Sequence, residues 1–155
     1  MKKILIQTLI ISLFFINFNA TAEIKHIKDG NVDAKVKLVV FESLTCSHCG
    51  DFHRDIYPKL KTDFIDKNLI SIEYRNFPLD IAAFNAAKIA HCRNDGKSEI
   101  LHHLYNNQSS WVRGSTIEDL NKNLKRVVQE SGFKLDFDNC IANSKIEDFI
   151  LEDRI

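Results

Sequence analysis

Ile4 through Phe18 is an apolar stretch with few polar interruptions, and it gives way at Ala20-Thr21-Ala22 to Glu23, the first acidic residue. After it the pattern changes. Residues Glu23–Ala34 are polar, with a turn signal at Asp29-Gly30-Asn31 and a short strand expected at Ile24–Ile27. Lys37–Leu44 is continuously apolar in character, the pattern of a strand buried on both faces. From Cys46 to about Lys67 the apolar positions Phe52, Ile56, Leu60, Phe64 and Ile65 fall at helical spacing against a polar opposite face. Pro58 lies inside this run and predicts a kink, because it has no N–H to give and its ring crowds the preceding turn. In Leu69–Arg75, Ile70, Ile72 and Tyr74 alternate with Ser71, Glu73 and Arg75, which predicts a strand. Strand, helix and strand in that order predict a parallel pair with a right-handed crossover.

Everything after Pro78 reads as helix. Ile81–Arg93 is alanine-rich with apolar residues at helical spacing, and Asp95-Gly96 ends it. Ser98–Asn107 is a second helix. Ser109–Ser115 is expected to be a loop carrying the sole tryptophan, Trp111. Thr116 caps a third helix, with Asp119 as the acid three residues on, and that helix runs to Ser131-Gly132. Leu135–Ala142 and Ser144–Ile155 are two short final helices. No repeat or low-complexity tract is present.

The chain has 155 residues, in the range of one domain. Lys2 and Lys3 before the apolar stretch, and the small residues Ala20 and Ala22 at its end, predict a signal peptide over residues 1–22. An uncleaved anchor is the competing reading, but the stretch is short for a span that needs about 20 apolar residues. Both readings put the domain, residues 23–155, outside the cytosol; the expected location is the periplasm. Cleavage would remove two lysines and no acid, so the balanced 21 basic and 21 acidic residues become 19 and 21. No basic run or basic–aromatic interleaving is present, which argues against a nucleic-acid partner.

Cys46-Ser47-His48-Cys49 follows the Lys37–Leu44 strand and opens the next helix. A thiol at a helix start meets unpaired N–H groups and the positive end of the helix dipole, and both favour the thiolate, the reactive species. The second thiol, one turn on, can attack a mixed disulfide formed by the first. In an oxidising compartment the four cysteines allow three pairings. Cys46 with Cys49 is the local one, leaving Cys92 with Cys140 as an expected structural disulfide. A static Cys46–Cys49 bridge and a zinc site are the competing readings; zinc needs four ligands, and Cys46, Cys49 and His53 could contribute, but no second clustered pair follows.

Val39-Val40-Phe41-Glu42-Ser43-Leu44-Thr45-Cys46-Ser47-His48-Cys49 with Phe52, then Arg75-Asn76-Phe77-Pro78-Leu79 and the alanine-rich helix ending in Cys92, resembles the DsbA-like branch of the thioredoxin superfamily. The resemblance implies an α/β thioredoxin-like core with a helical insertion, here about residues 80–155. It implies dithiol–disulfide exchange on reduced or unfolded exported proteins, with Cys46 as nucleophile, Cys49 as resolving thiol and His48 stabilising the reduced form. It implies a membrane partner for reoxidation, and no metal or organic cofactor. Ser47 stands where the best-known members carry proline, so a tuned potential is expected. The family's cis-proline loop, strand hairpin and final helix have no counterpart here, because the only prolines are Pro58 and Pro78. The expectation is a C-terminally truncated core in which the Lys37–Leu44 strand is an exposed edge. A reductase or isomerase of the same fold, and a non-catalytic remnant, are the alternatives.

Glu42, four residues before Cys46, could accept a proton from Cys49, although a surface or salt-bridged strand residue is the plainer reading. His53 and Arg54 are expected on a solvated helix face, His102 and His103 at the surface, and Trp111 in the core. Lys122, Lys125 and Arg126 read as one solvated helix face.

Overall fold

The alternation over residues 70–76 becomes the centre of the sheet. In the computed structural model, which describes residues 23–153, three strands are ordered β1–β3–β2. The expected signal peptide, residues 1–22, lies outside the described residues. Strand β3 (Ile70–Asn76) pairs antiparallel with β1 (Ile27–Gly30) and parallel with β2 (Val36–Glu42), the parallel pair that the strand–helix–strand pattern predicts. The register sets Asp29 beside Ile72, and Val40 beside Tyr74 with Ile27 on its other side. Strand β1 starts at Ile27 instead of ending there.

Helix α1 (47–65) connects β2 to β3. It runs as Ser47–Asp51, a π-helical turn Phe52–Ile56, Tyr57–Leu60 and a second π-helical turn Lys61–Ile65. Pro58 falls in the first turn after the first π-turn, where its missing N–H is tolerated. The buried stripe differs from the apolar one read off the sequence. Gly50, His53, Tyr57 and Ile65 are buried, whereas Ile56 and Phe64 are exposed. A π-turn holds an extra residue, so the face that meets the sheet is rotated from the ideal period.

The helices after β3 are α2 (Ile81–His91), α3 (Glu99–Asn106), α4 (Gln108–Trp111), α5 (Ile117–Glu130), α6 (Phe137–Ile141) and α7 (Ser144–Glu152). Residues 109–111, in the stretch read as loop, belong to α4 because Trp111 is wholly buried there and its indole N–H reaches Leu104 O at 3.0 Å. Side-chain caps start four of the helices. Asp80, Thr116, Asp136 and Asn143 accept from Ala83, Asp119, Asn139 and Ile146 backbone N–H groups. The small face of α2 (Ala82, Ala83, Ala86, Ala87 and Ala90) lets its neighbours approach closely around Leu104, Trp111, Leu124, Ile146 and Ile150. Cys92 and Cys140 are joined by a disulfide that ties the end of α2 to α6, with Cα atoms 5.4 Å apart. Buried Lys88 on α2 donates to Ile141 O at 2.8 Å and to Glu147.

Polar ties fasten these helices to the sheet. The Asp153 carboxylate accepts from Arg75 (3.0 Å) and from the backbone and side-chain amides of Asn76 (2.9 and 2.7 Å). Thr45 Oγ1 donates to Asp80 at 2.8 Å, and Ser98 Oγ donates to Asp29.

Strand β2 departs from the reading of a strand buried on both faces. Val39 is 53% and Phe41 60% exposed, and among the described residues β2 pairs on one side only, as the exposed-edge expectation has it. Its apolar residues are suited to a covered strand, yet within residues 23–153 more than half of Val39 and Phe41 stays open. No helix among the described residues is long and apolar enough to cross a membrane.

Candidate redox site

Cys46 is the N-cap of α1, with φ −71° and ψ 119°, and its carbonyl accepts from Gly50 N–H at 3.1 Å. This geometry turns the first N–H groups of the helix toward its thiol. Hydrogen bonds from the Cys49 and His48 backbone N–H groups, the former foremost, bring the Cys46 thiol below its ordinary value. Slight burial and the Asp51 charge work against them. Burial, followed by the neighbouring Cys46 and Glu42 charges, pushes the Cys49 thiol up to about 11, despite a backbone hydrogen bond from Ser43. Of the two free thiols, one is disposed to ionise and the other to hold its proton.

His48 stands between them in sequence, but its imidazole is 94% exposed and leans toward Asp51, Nδ1 to Oδ2 3.7 Å. It makes no hydrogen bond to either thiol; its contact with Cys46 runs through the backbone N–H. Ser47 is the first helical residue and gives no side-chain cap.

A support not foreseen from the sequence is Gln108. Its amide donates to Leu44 O (2.9 Å) and Cys46 O (2.8 Å), holding the turn that presents Cys46. Gly50 makes room for it: a Cβ there would collide with Gln108 Oε1.

Beneath Cys49 lies a buried chain of polar groups. Glu42, at the end of β2, bonds His53 Nε2 at 2.8 Å. His53 Nδ1 lies 2.9 Å from His102 Nδ1, and His102 Nε2 lies 2.9 Å from Asp29 Oδ2. Tyr57 and Tyr74 hydroxyls each donate to the same Asp29 oxygen at 2.9 Å. Tyr105 stacks on His53, ring centroids 3.9 Å apart. Burial pushes the Glu42 carboxyl up to about 8, partly offset by the His102 charge. Burial and the neighbouring His102 charge bring His53 down to about 3. Burial would raise Asp29, but hydrogen bonds from His102, Ser98 and Tyr74 outweigh it and hold the carboxyl at about 2. Glu42 Oε1 and the Tyr105 hydroxyl are buried without a hydrogen-bond partner, and both residues border a cavity of about 10 Å³, room for roughly one water.

The site therefore corrects three readings. His53 is buried, not solvated, and His102 is largely buried, not a surface residue; Glu42 is a buried strand-end acid. The signal for His53 was its spacing: Cys49, His53 and Tyr57 recur every four residues and share one face of α1. Asp29, read as a turn residue, had no such signal, because its partners lie 28 to 73 positions away. Both ring nitrogens of His53 are engaged by Glu42 and His102, which removes it as a third zinc ligand beside the two cysteines. Among the described residues no group of three or more His, Cys, Asp or Glu side chains is placed to hold a metal ion.

The thioredoxin family profile matches residues 22–154. A Rickettsia bellii protein named "Putative protein-disulfide oxidoreductase" is 30% identical over 125 residues, covering 79% of this chain and 47% of that protein. The crystal structure of Wolbachia pipientis alpha-DsbA1 superposes with a TM-score of 0.74 at 32% identity, covering 83% of this chain and 65% of that one. BdbD from Bacillus subtilis, at 22% identity and a TM-score of 0.67, shares the fold; 83% of this chain and 71% of that one are covered. The chain spans about half the length of the curated relatives it matches.

Proposed function

Since this chain belongs to the DsbA-like branch of the thioredoxin superfamily, we propose that it is an exported thiol–disulfide oxidoreductase acting through Cys46-Ser47-His48-Cys49. In this reading residues 1–22 are a cleaved signal peptide, residues 23–155 the working domain, and the periplasm its location. Its substrates are reduced exported proteins, and a membrane partner restores its disulfide.

The observation that carries the reading is the split between the two thiols, one lowered by helix-start N–H groups and the other raised by burial. In the oxidised protein a substrate thiolate attacks Cys46 Sγ, forming a mixed disulfide and expelling the Cys49 sulfur. Glu42, protonated near neutrality, is the nearby acid that supplies the proton to Cys49. The substrate's second thiolate then attacks its own sulfur in the mixed disulfide and releases Cys46 as thiolate. The substrate loses two electrons and the Cys46–Cys49 pair gains them. A stabilised Cys46 thiolate is a good leaving group, which favours oxidation of the substrate. His48 contributes its backbone N–H to that stabilisation, and Cys92–Cys140 braces the helices away from the chemistry.

The test is alkylation of Cys46 across pH in the reduced protein, together with the redox potential of the pair. The expected result is an ionisation below that of free cysteine, about 8.5, and a potential nearer about −120 than about −270 mV. A Cys46 that titrates like free cysteine would refute the oxidase reading, and a potential near about −270 mV would favour a reductase.

A further inference from the structure

We propose that His53 and His102 form a proton path between Glu42 and Asp29, through which the proton exchanged with Cys49 enters and leaves the site from the far side of α1. The proposal rests on the redox reading of Cys46 and Cys49 and deepens it. No part of the exchange chemistry itself requires two histidines end to end, yet the structure sets them in line.

The geometry is continuous. Three heavy-atom contacts of 2.8, 2.9 and 2.9 Å join Glu42 Oε2 to Asp29 Oδ2 through both nitrogens of both rings. Two proton arrangements satisfy every one of these bonds with the same number of protons. In the first, the Glu42 carboxylic acid donates to His53 Nε2, His53 Nδ1–H donates to His102 Nδ1, and His102 Nε2–H donates to the Asp29 carboxylate. In the second, His53 Nε2–H donates to the Glu42 carboxylate, His102 Nδ1–H donates to His53 Nδ1, and His102 is an imidazolium against Asp29. Passing from one to the other needs no side chain to turn. It moves one positive charge from the deep end of the chain to the shallow end.

The ends differ as a path to solvent requires. The side chains of His53 and Glu42 are 0% and 5% exposed, whereas those of His102 and Asp29 are 17% and 16%. The deep end of the chain is thus closed to bulk solvent on its His53 side, while part of the His102 and Asp29 side chains meets it. Asp29 is suited to hold the transferred charge because it already accepts from Tyr57, Tyr74 and Ser98. The remaining groups facing the path are Tyr105 from α3, which stacks on His53, and Cys49 from α1 above Glu42. Among the described residues no lysine or arginine bonds any member of the path, and its charge balance there rests on the two acids and the two rings.

In the step that closes the protein's own disulfide, Cys49–SH gives its proton to the Glu42 carboxylate. Its sulfur attacks Cys46 Sγ, and the bound partner leaves as thiolate. His102 imidazolium then loses one proton to solvent, and both rings turn to exchange tautomers before another proton passes outward. In the opposite direction Glu42 protonates the expelled Cys49, and solvent returns one proton through His102 once the rings have turned. His53 and His102 touch no reacting atom and are positioning residues.

The experiment uses the full chain carrying a mixed disulfide between Cys46 and glutathione. The rate at which Cys49 displaces glutathione is followed from about pH 5.5 to 9 for the wild type, His53→Gln and His102→Gln, a range that spans histidine titration. Glutamine keeps a hydrogen bond but cannot pass a proton. His53→Gln is expected to slow displacement by about a hundredfold near neutral pH and to make it depend on hydroxide concentration, while Cys46 alkylation against pH keeps its wild-type curve. His53→Ala is expected to recover rate on addition of free imidazole. Wild-type rates and pH profiles in a folded His53→Gln and His102→Gln overturn the path while leaving the redox reading intact. Should His53→Gln not fold, His102→Gln alone decides, since its ring is partly exposed. A wild-type Cys46 with ordinary thiol ionisation and no glutathione displacement brings down the redox reading and the path with it.

Discussion

Replacing Glu42 with glutamine should make the protein more stable, by an amount that grows with pH. The carboxyl is held at about 8 in the fold against 4.5 for an ordinary glutamate. Because its folded value is raised, its contribution is fully present below about 4.5 and is lost as pH rises toward 8. Each pH unit in that window costs about 1.4 kcal/mol. The glutamine side chain has no proton to lose, fills the same volume and can donate its amide to His53 Nε2. The stability difference between Glu42→Gln and wild type should therefore rise by about 1.4 kcal/mol per unit between about pH 5 and 8. The comparison is made in the reduced protein by urea denaturation at fixed ionic strength. Differencing removes the shifted groups that do not bond Glu42: His91, at about 4, loses its contribution as pH falls, and the lowered Cys46 gains as pH rises. A difference that stays flat across that window would show that Glu42 ionises in the fold as it does in the unfolded chain. The assignment of Glu42 as the proton donor to Cys49 would then fail.

Removing the Cys92–Cys140 disulfide by changing both residues to alanine should lower stability by up to about 4 kcal/mol, the loop-closure figure for a separation of 48 residues; urea unfolding reads the loss. Gly50→Ala should destabilise by about 2 kcal/mol despite better helix propensity, because the new Cβ displaces Gln108 from Leu44 O and Cys46 O. The same variant should alter the pH dependence of Cys46 alkylation, and a wild-type curve and melting temperature would show that Gln108 has room to move. Phe41→Lys, on the open face of β2, should leave stability within about 0.5 kcal/mol and raise solubility, measured by the light-scattering threshold on concentration.

Much of the scaffold could be read from local pattern. The Ile70, Ile72, Tyr74 alternation located the central strand, Thr116 with Asp119 located the start of α5, and the alanine face located α2. The two thiols were legible because their chemistry is set within four residues, by a strand that ends and a helix that begins. What escaped was non-local. His53 is hydrophilic by type, so the apolar period assigned Ile56 and Phe64 to the core instead; two π-turns and a buried acid on β2 reversed that. Asp29, His102 and Gln108 carry no local mark, since each takes its role from partners more than 25 positions away. Strand β2 misled in the opposite sense. Its composition suits a strand covered on both faces, and composition does not say which neighbour does the covering.

The ties between the helices and the sheet have a mechanical consequence. Asp153 on Arg75 and Asn76, Asp80 on Thr45, Gln108 on the Cys46 turn and Ser98 on Asp29 fix the two layers at four separated points. Among the described residues, a hinge between the layers would have to release several of these bonds together. Cys46 thus sits on a stiff platform. Under the proposed function, the polypeptide substrate would supply the flexibility that brings two sulfurs into line, which a thiol in an unstructured stretch does more readily than one packed in a finished fold.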